Sequence, residues 1–357
     1  FPLFCYLVDC GFNASIINPI ITHSTKNGNI RKVKNDKIDS KGIAKLGLSK
    51  DIPVSEFPAK LVLELRSLTR KYYDLTDERS AHINKLKGDL HTVFPQYLDV
   101  FCDVTGKTST MILRQYGTPD KILRGHKKTM IEKISKASRK GLAKASERYE
   151  KLCAAANAAK TFGCQIDSIY FNIFLTLDLV EKLDSALDSI LNRIRQLITF
   201  NKNEKFIQQI KLLNTIPGVG FLTAVTIMCE IGDFSAFRNP KQLFAYFGLD
   251  PEVNESGKFV GTQLHMSKRG SRIVCRAIFA VALASIRTKR NGEGINPYLR
   301  KYYELKSGQK PKMVAIGAVM HKVCNIVFAV LRDEKAFELR SPEEHCKQYQ
   351  RPALAAA

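Results

Sequence analysis

The chain has 357 residues, with 56 lysines and arginines against 34 acids, giving a formal charge of +22. A hydrophobic content of 45% excludes wholesale disorder, and the length suggests about two domains. The charge repels itself unless a polyanion offsets it, so nucleic acid is the first expectation; an acidic membrane ranks second, because the longest apolar run, Ala277 to Ile286, holds ten residues against the ~18 of a span.

No segment reads as a signal peptide. Nine cysteines, with no CxxC pair, support neither a disulfide framework nor a zinc ribbon. They read as buried thiols of a reducing cytoplasm.

In chain order, Leu3, Phe4, Leu7 and Val8 have helical spacing and Gly11 stops that helix. Ser15 to Pro19 reads as a short buried strand, Thr22 to Lys34 as a basic loop, and Asp36 to Leu46 as a helix. Pro58 to Phe94 is one long helix, with apolar steps of three and four from Leu61 to Val93, interrupted at Arg79 and His82. Residues 121–151 carry eleven lysines and arginines against three acids, a polyanion track or a solvated helix. Ile169 to Phe200 is a second long helix. The two long helices pair either within the chain or as a dimerising coiled coil. A dimer or higher oligomer through them is expected, with charge at Leu183 and Leu187 breaking it. In the last third, Asn239-Pro240 and Asn296-Pro297 open helices, Gly248 and Gly308 stop them, and Arg272–Arg287 and Met313–Leu331 form apolar helices.

Three groups of residues carry chemistry. Ile216-Pro217-Gly218-Val219-Gly220, between two apolar segments, is similar to a helix-hairpin-helix turn, whose backbone N–H groups hold a phosphate without reading sequence. Ser256-Gly257-Lys258, followed by Ser267-Lys268-Arg269-Gly270-Ser271-Arg272, puts serines beside cations; from Gly257 to Arg290 there are eight lysines and arginines and no acid. Such cations stabilise the charge that develops when a serine attacks a phosphodiester. Asp36 and Asp39, three apart on a helix, share a face and suit Mg²⁺; a solvated helix start is the competing reading.

Taken together, these segments resemble one family. Ile17-Asn18-Pro19 and Lys34-Asn35-Asp36-Lys37-Ile38-Asp39-Ser40 resemble the second half of the acidic signature of the DEDD-type insertion-sequence transposases, relatives of the Piv-type DNA invertases. The Ile216–Gly220 turn, Glu230-Ile231-Gly232-Asp233, Ala245-Tyr246-Phe247-Gly248-Leu249, Ser256-Gly257 and Ser267–Ser271 follow in that family's order. The resemblance implies a RuvC-like (RNase H) N-terminal domain with four acidic residues, a helical coiled-coil middle and an all-α C-terminal domain supplying a nucleophilic serine. It implies DNA recombination, Mg²⁺ as cofactor and a structured guide RNA as second partner, in a bacterial or archaeal cytoplasm. Asp36 and Asp39 match the third and fourth acidic positions. Ser256 matches the serine, with Ser267 and Ser271 as fallbacks. Pro217, Gly218, Val219, Gly220, Lys258, Lys268, Arg269 and Arg272 are the expected DNA contacts. The first two acidic positions would precede Phe1, so the chain reads as truncated or decayed, with weak or absent activity.

The expected architecture is therefore a mixed α/β remnant over 1–57, a helical and basic middle over 58–204, an all-α serine domain with a helix-hairpin-helix over 205–340, and a tail over 341–357. A non-catalytic nucleic-acid-binding protein and a RuvC-type junction nuclease remain the alternatives.

Overall fold

The computed structural model describes residues 2–12, 14, 36–48, 59–164, 166–250, 255–256, 259–260, 266–267, 269–341 and 343–344. The chain divides into two compact units, Phe1–Lys60 and Leu61–Ala357.

The first unit shows α1 (Pro2–Asp9) and α2 (Asp36–Gly47). Gly11 stops α1 with φ +82°, and the N–H of Phe12 donates back to the Leu7 carbonyl at 2.9 Å. That left-handed position is nearly free for glycine. The strand expected over 15–19, and with it the α/β reading of this segment, lies outside the described residues.

The second unit is built on α3 (Lys60–Val93) and a second helix of 34 residues introduced below. Between them lie α4 (Tyr97–Val100), α5 (Lys107–Gln115), α6 (Pro119–Arg124), α7 (Lys127–Ser138) and α8 (Leu142–Phe162). The chain then returns through α9 (Asp167–Phe200). Next come α10 (Lys205–Leu213), α11 (Phe221–Ile231) and α12 (Pro240–Tyr246). A two-residue ladder follows, β1 (Glu255–Ser256) with β2 (Phe259–Val260), and the helices α13 (Arg272–Ile286), α14 (Pro297–Ser307) and α15 (Lys312–Asp333) complete the unit. Asn239 and Asn296 cap α12 and α14 as read, each side chain accepting an N–H three residues on, from Gln242 at 3.0 Å and Leu299 at 3.1 Å.

Helices α3 and α9 run antiparallel and pair within the chain. Leu65 shares a core with Ile194 and Leu197 at one end. Leu86 and Leu90 share another with Ile173 and Leu177 at the other. Between these ends the Arg79 guanidinium binds the Asp184 carboxylate, which explains the polar break in the α3 seam. Leu187 is buried in this pairing and Leu183 half-buried. The seam expected to make a dimer is thus closed inside one chain, and charge at these positions would disrupt that core. The thiols also differ from expectation: Cys229 and Cys324 are buried, whereas Cys10, Cys102 and Cys164 are exposed. Helix α15 is long and apolar enough to cross a membrane. Its apolar face, including Val319, Val323 and Val327, instead packs into the C-terminal core.

Candidate functional site

The Pro-Gly-Val-Gly segment joins α10 to α11, which pack against each other. Ile216 accepts from the Val219 N–H at 2.9 Å, closing the turn. Gly218 has φ +95°, and a Cβ there would lie 2.5 Å from Ser285 Oγ and 3.0 Å from Ser285 N. Ser285, buried on α13, donates its hydroxyl to the Pro217 carbonyl at 3.0 Å. Gly218 is therefore required by backbone conformation and by the approach of α13. Val219 has a buried side chain and an N–H already bonded, and Pro217 has no N–H, so neither offers a phosphate a donor. Of the eight expected contacts, these two therefore have no free backbone N–H to give.

Gly220 differs. Its φ is −83°, it opens α11 without a side-chain cap, and a Cβ would meet nothing within 4 Å. Its N–H and those of the first α11 turn are the donors this turn can present. The Arg195 guanidinium sits 5.9 Å from the Phe221 ring centroid, adding a cation beside the same helix start.

Beyond this turn α11 is buried from Ala224 to Ile231 and tied to α3. Arg70 grips the Glu230 carboxylate with two hydrogen bonds of 3.0 Å, and Arg66 Nε donates to the Cys229 carbonyl at 2.7 Å. The Tyr246 hydroxyl donates to the Glu230 carbonyl at 3.1 Å. The Arg70 pKa rises through its hydrogen bond to Glu230, against the opposing effect of burial. Burial also raises the Tyr246 hydroxyl and pushes the Cys229 thiol up to about 12. Glu230 is 4% exposed and Arg70 49%, so the two ends of this pair are not equivalent. Arg70→Ala strands a buried carboxylate and is expected to cost about 3 kcal/mol, the low end for breaking a buried pair. Glu230→Gln leaves a half-exposed guanidinium free to reach water and is expected to cost about 1 kcal/mol. Urea unfolding of the two variants checks the order; equal losses would refute it.

The serine segment is pinched at its base. The Ser267 N–H donates to the Asp250 carbonyl at 2.8 Å, and the Ser267 hydroxyl to Asp250 Oδ1 at 2.5 Å. Beside them a Cβ on Gly248, whose φ is +68°, would lie 2.3 Å from Gly270 N, and a Cβ on Gly270 would lie 2.3 Å from the Phe247 carbonyl carbon. The two glycines thus let the α12 exit and the approach to α13 touch backbone to backbone. Within the segment so closed, Ser256 pairs with Phe259 and Glu255 with Val260 in the antiparallel ladder, joined through 257 and 258. Ser271 caps α13, accepting the Ile273 N–H at 3.3 Å.

Arg269 and Arg272 are exposed, while Lys258 and Lys268 lie outside the described residues. Asp36 and Asp39 are the first and fourth residues of α2; the backbone places them on one helix face, and their side chains lie outside the described residues.

Residues 1–95 match a transposase family model of the DEDD IS110 type, and residues 210–304 match the transposase IS116/IS110/IS902 family. The chain belongs to the IS110/IS116 transposase family. Among similar proteins, the insertion element IS110 43.6 kDa protein of Streptomyces coelicolor is 23% identical over 290 residues, covering 80% of this chain and 67% of that protein. The pilin gene-inverting protein of Moraxella bovis is 29% identical over 177 residues, 49% of this chain and 52% of its own length. The transposase for insertion sequence element IS1111A of Coxiella burnetii is 26% identical over 188 residues, 51% of this chain and 50% of that protein. The chain thus spans about half the length of two of these relatives. The Arg70–Glu230 pair and the Asp250–Ser267 pinch are not legible in the sequence. Each joins residues whose partners only the fold brings near, although the acidic Glu230 inside an apolar helix was a legible sign of a buried partner.

Proposed function

We propose that the chain acts in DNA recombination through a serine nucleophile, Ser256, on a duplex held by the α10–α11 turn. The observation that carries this reading is the pinched segment: a serine on a short β ladder, in a segment closed at its base by Asp250–Ser267 and the Gly248–Gly270 contact, with the exposed Arg269 and Arg272 following that base in the chain. A rigid base limits the positions available to a nucleophile. In the reaction Ser256 Oγ forms a bond to phosphorus and one P–O ester bond breaks. The serine proton passes to solvent water, and solvent water returns one proton to the departing strand end, which leaves as a hydroxyl. Arg269 and Arg272 would offset charge on the non-bridging oxygens. Gly220 and the first turn of α11 would hold the backbone phosphate.

Asp36 and Asp39 supply two hard carboxylate donors in helical register, a set that fits Mg²⁺ in type. Mg²⁺ bound there would stabilise negative charge on phosphate oxygens. A structured guide RNA is a second partner in this reading, and a homo-oligomer is the working form, since recombination cuts more than one strand.

Incubation with a nicked suicide substrate, followed by proteolysis and mass spectrometry, is expected to place a DNA adduct on the peptide containing Ser256. An adduct elsewhere would move the nucleophile. Cleavage with no adduct would favour a metal-only junction nuclease. Binding is expected to weaken roughly 10³–10⁵-fold between 50 and 200 mM salt if ~6–10 phosphates are contacted; a flat profile would remove the electrostatic basis.

A further inference from the structure

The helices between α3 and α9 form a module with its own neck, built on a core shared with the adjoining ends of α3 and α9. At the neck the Cys164 N–H donates to the Thr92 carbonyl at 3.1 Å, and a Cβ on Gly163 would lie 2.5 Å from the Val93 carbonyl oxygen. Inside, the Tyr97 hydroxyl donates to the Ser109 carbonyl at 3.0 Å, and Ile112, Ile122, Met130, Ile134 and Leu152 are fully buried. This module falls in the stretch between the two matched family segments. Residues 96–166 carry 14 lysines and arginines against six acids.

The charge is not spread evenly over uses. Lys160 pairs with Asp120, Lys151 with Glu147, and Arg114 with Asp178 and Glu181. Lys127, Lys133 and Arg148 lie over the rings of Tyr149, Tyr116 and Phe101. Among the described residues, the cations left without an ion-pair partner include Lys136, Arg139, Lys140 and Lys144, which surround the turn joining α7 to α8 and are all exposed. That turn is ordered by its own hydrogen bonds: Ser135 Oγ donates to the Lys140 carbonyl at 2.8 Å, and the Lys140 N–H to Ser138 Oγ at 3.3 Å. Its first residue, Arg139, has φ +53°. The left-handed position that ends a helix is ordinarily taken by glycine, because a side chain is strained there. Here an arginine occupies it, on a tip where no acid among the described residues pairs with the guanidinium.

We propose that this α7–α8 tip is a second nucleic-acid contact, in which Lys136, Arg139, Lys140 and Lys144 bind the phosphate backbone. Four exposed cations within nine residues, on an ordered turn, match a string of phosphates, and among the described residues none of them is taken up in an ion pair, Lys144 acting on Glu147 only through its charge. An arginine kept at a helix-ending position where glycine is the ordinary choice places one more cation on this tip. The site is separate from the α10–α11 turn and from Ser256, so it stands whether or not the serine reading holds.

The test uses the whole chain, with 40-base-pair duplex DNA and a folded RNA hairpin as the two probes, titrated between 50 and 300 mM salt. The quadruple change Lys136→Gln, Arg139→Gln, Lys140→Gln and Lys144→Gln is expected to reduce the log–log salt slope by about 3 to 4 on duplex DNA, or by about 3 on the RNA. A loss confined to one probe would identify the source of the phosphates, and a loss on both would assign a general backbone contact. Arg139→Gly separates binding from folding: thermal stability should be kept or raised, because glycine suits φ +53°, while the slope falls by about 1. Unchanged slopes on both probes would overturn the proposal, and so would an Arg139→Gly chain that binds both probes as the parent does.

Discussion

Replacing Ser256 with alanine is expected to abolish the covalent protein–DNA link and to lower cleavage by on the order of 10⁶-fold, the scale on which loss of a nucleophilic serine acts. DNA affinity and the unfolding midpoint should stay at the parental values. The other two serines of the segment have structural uses that predict different outcomes. The Ser267 hydroxyl is held by Asp250 at 2.5 Å. Removing it breaks a hydrogen bond to a charged group, worth about 1.5–3 kcal/mol, and loosens the base of the segment that carries Ser256. Ser267→Ala and Asp250→Ala should therefore lose both stability and part of the cleavage rate, and together lose little more than either alone, because they remove one interaction. Ser271 accepts the Ile273 N–H as the first-turn cap of α13, so Ser271→Ala should cost about 1 kcal/mol and leave adduct formation intact. Three serines thus give three separable phenotypes in parallel measurements of urea midpoint, duplex affinity and adduct yield. If Ser267→Ala alone abolishes the adduct while Ser256→Ala retains it, the nucleophile is Ser267 with Asp250 as its proton acceptor.

The helices were legible because their signals are local. The apolar steps of α3 and α9, the Asn-Pro starts of α12 and α14, and the glycine stop of α1 are each written within a few residues. The use of a seam is not local: the same spacing suits an antiparallel pair within one chain or a dimer. It took Asp184 opposite Arg79 and Ile194 beside Leu65 to show which surface each helix covers. The turn at Gly218 shows the same limit from another side. Its glycine suggested a close approach of phosphate, yet the atoms that approach it belong to Ser285 on α13, 67 residues away along the chain. Gly220, with open space at its Cβ, is the glycine of this turn whose identity the packing does not explain. The order of the motifs carried the family, but the contacts that hold those motifs in place, Arg70 to Glu230 and Asp250 to Ser267, join residues 160 and 17 apart.

Gly270→Ala is expected to cost about 3 kcal/mol or more, at the upper end of overpacking penalties. A Cβ at this position would stand 2.3 Å from the Phe247 carbonyl carbon, 2.4 Å from the Tyr246 oxygen and 2.5 Å from the Phe247 oxygen. All three are backbone atoms at the end of α12, so no rotamer change relieves the overlap. Relief requires the α13 approach to move away from the α12 exit. Gly248→Ala meets the same wall from the other side, 2.3 Å from Gly270 N and 2.8 Å from Arg269 N, and adds the strain of a side chain at φ +68°. Because either change opens one shared contact, the double variant should fall short of the sum of the two. Opening it also frees the ends held by Asp250 and Ser267, so cleavage should fall further than the stability loss alone would produce at low temperature, where most molecules remain folded. Gly220→Ala is the control. It adds a Cβ into open space at φ −83° and should leave the urea midpoint near the parental value. It should nonetheless weaken duplex binding, because the methyl group occupies the approach to the first α11 turn. A Gly270→Ala chain that unfolds at the parental urea concentration would show that α12 and α13 do not touch backbone to backbone. A Gly220→Ala chain with parental affinity would remove the α10–α11 turn from the DNA interface.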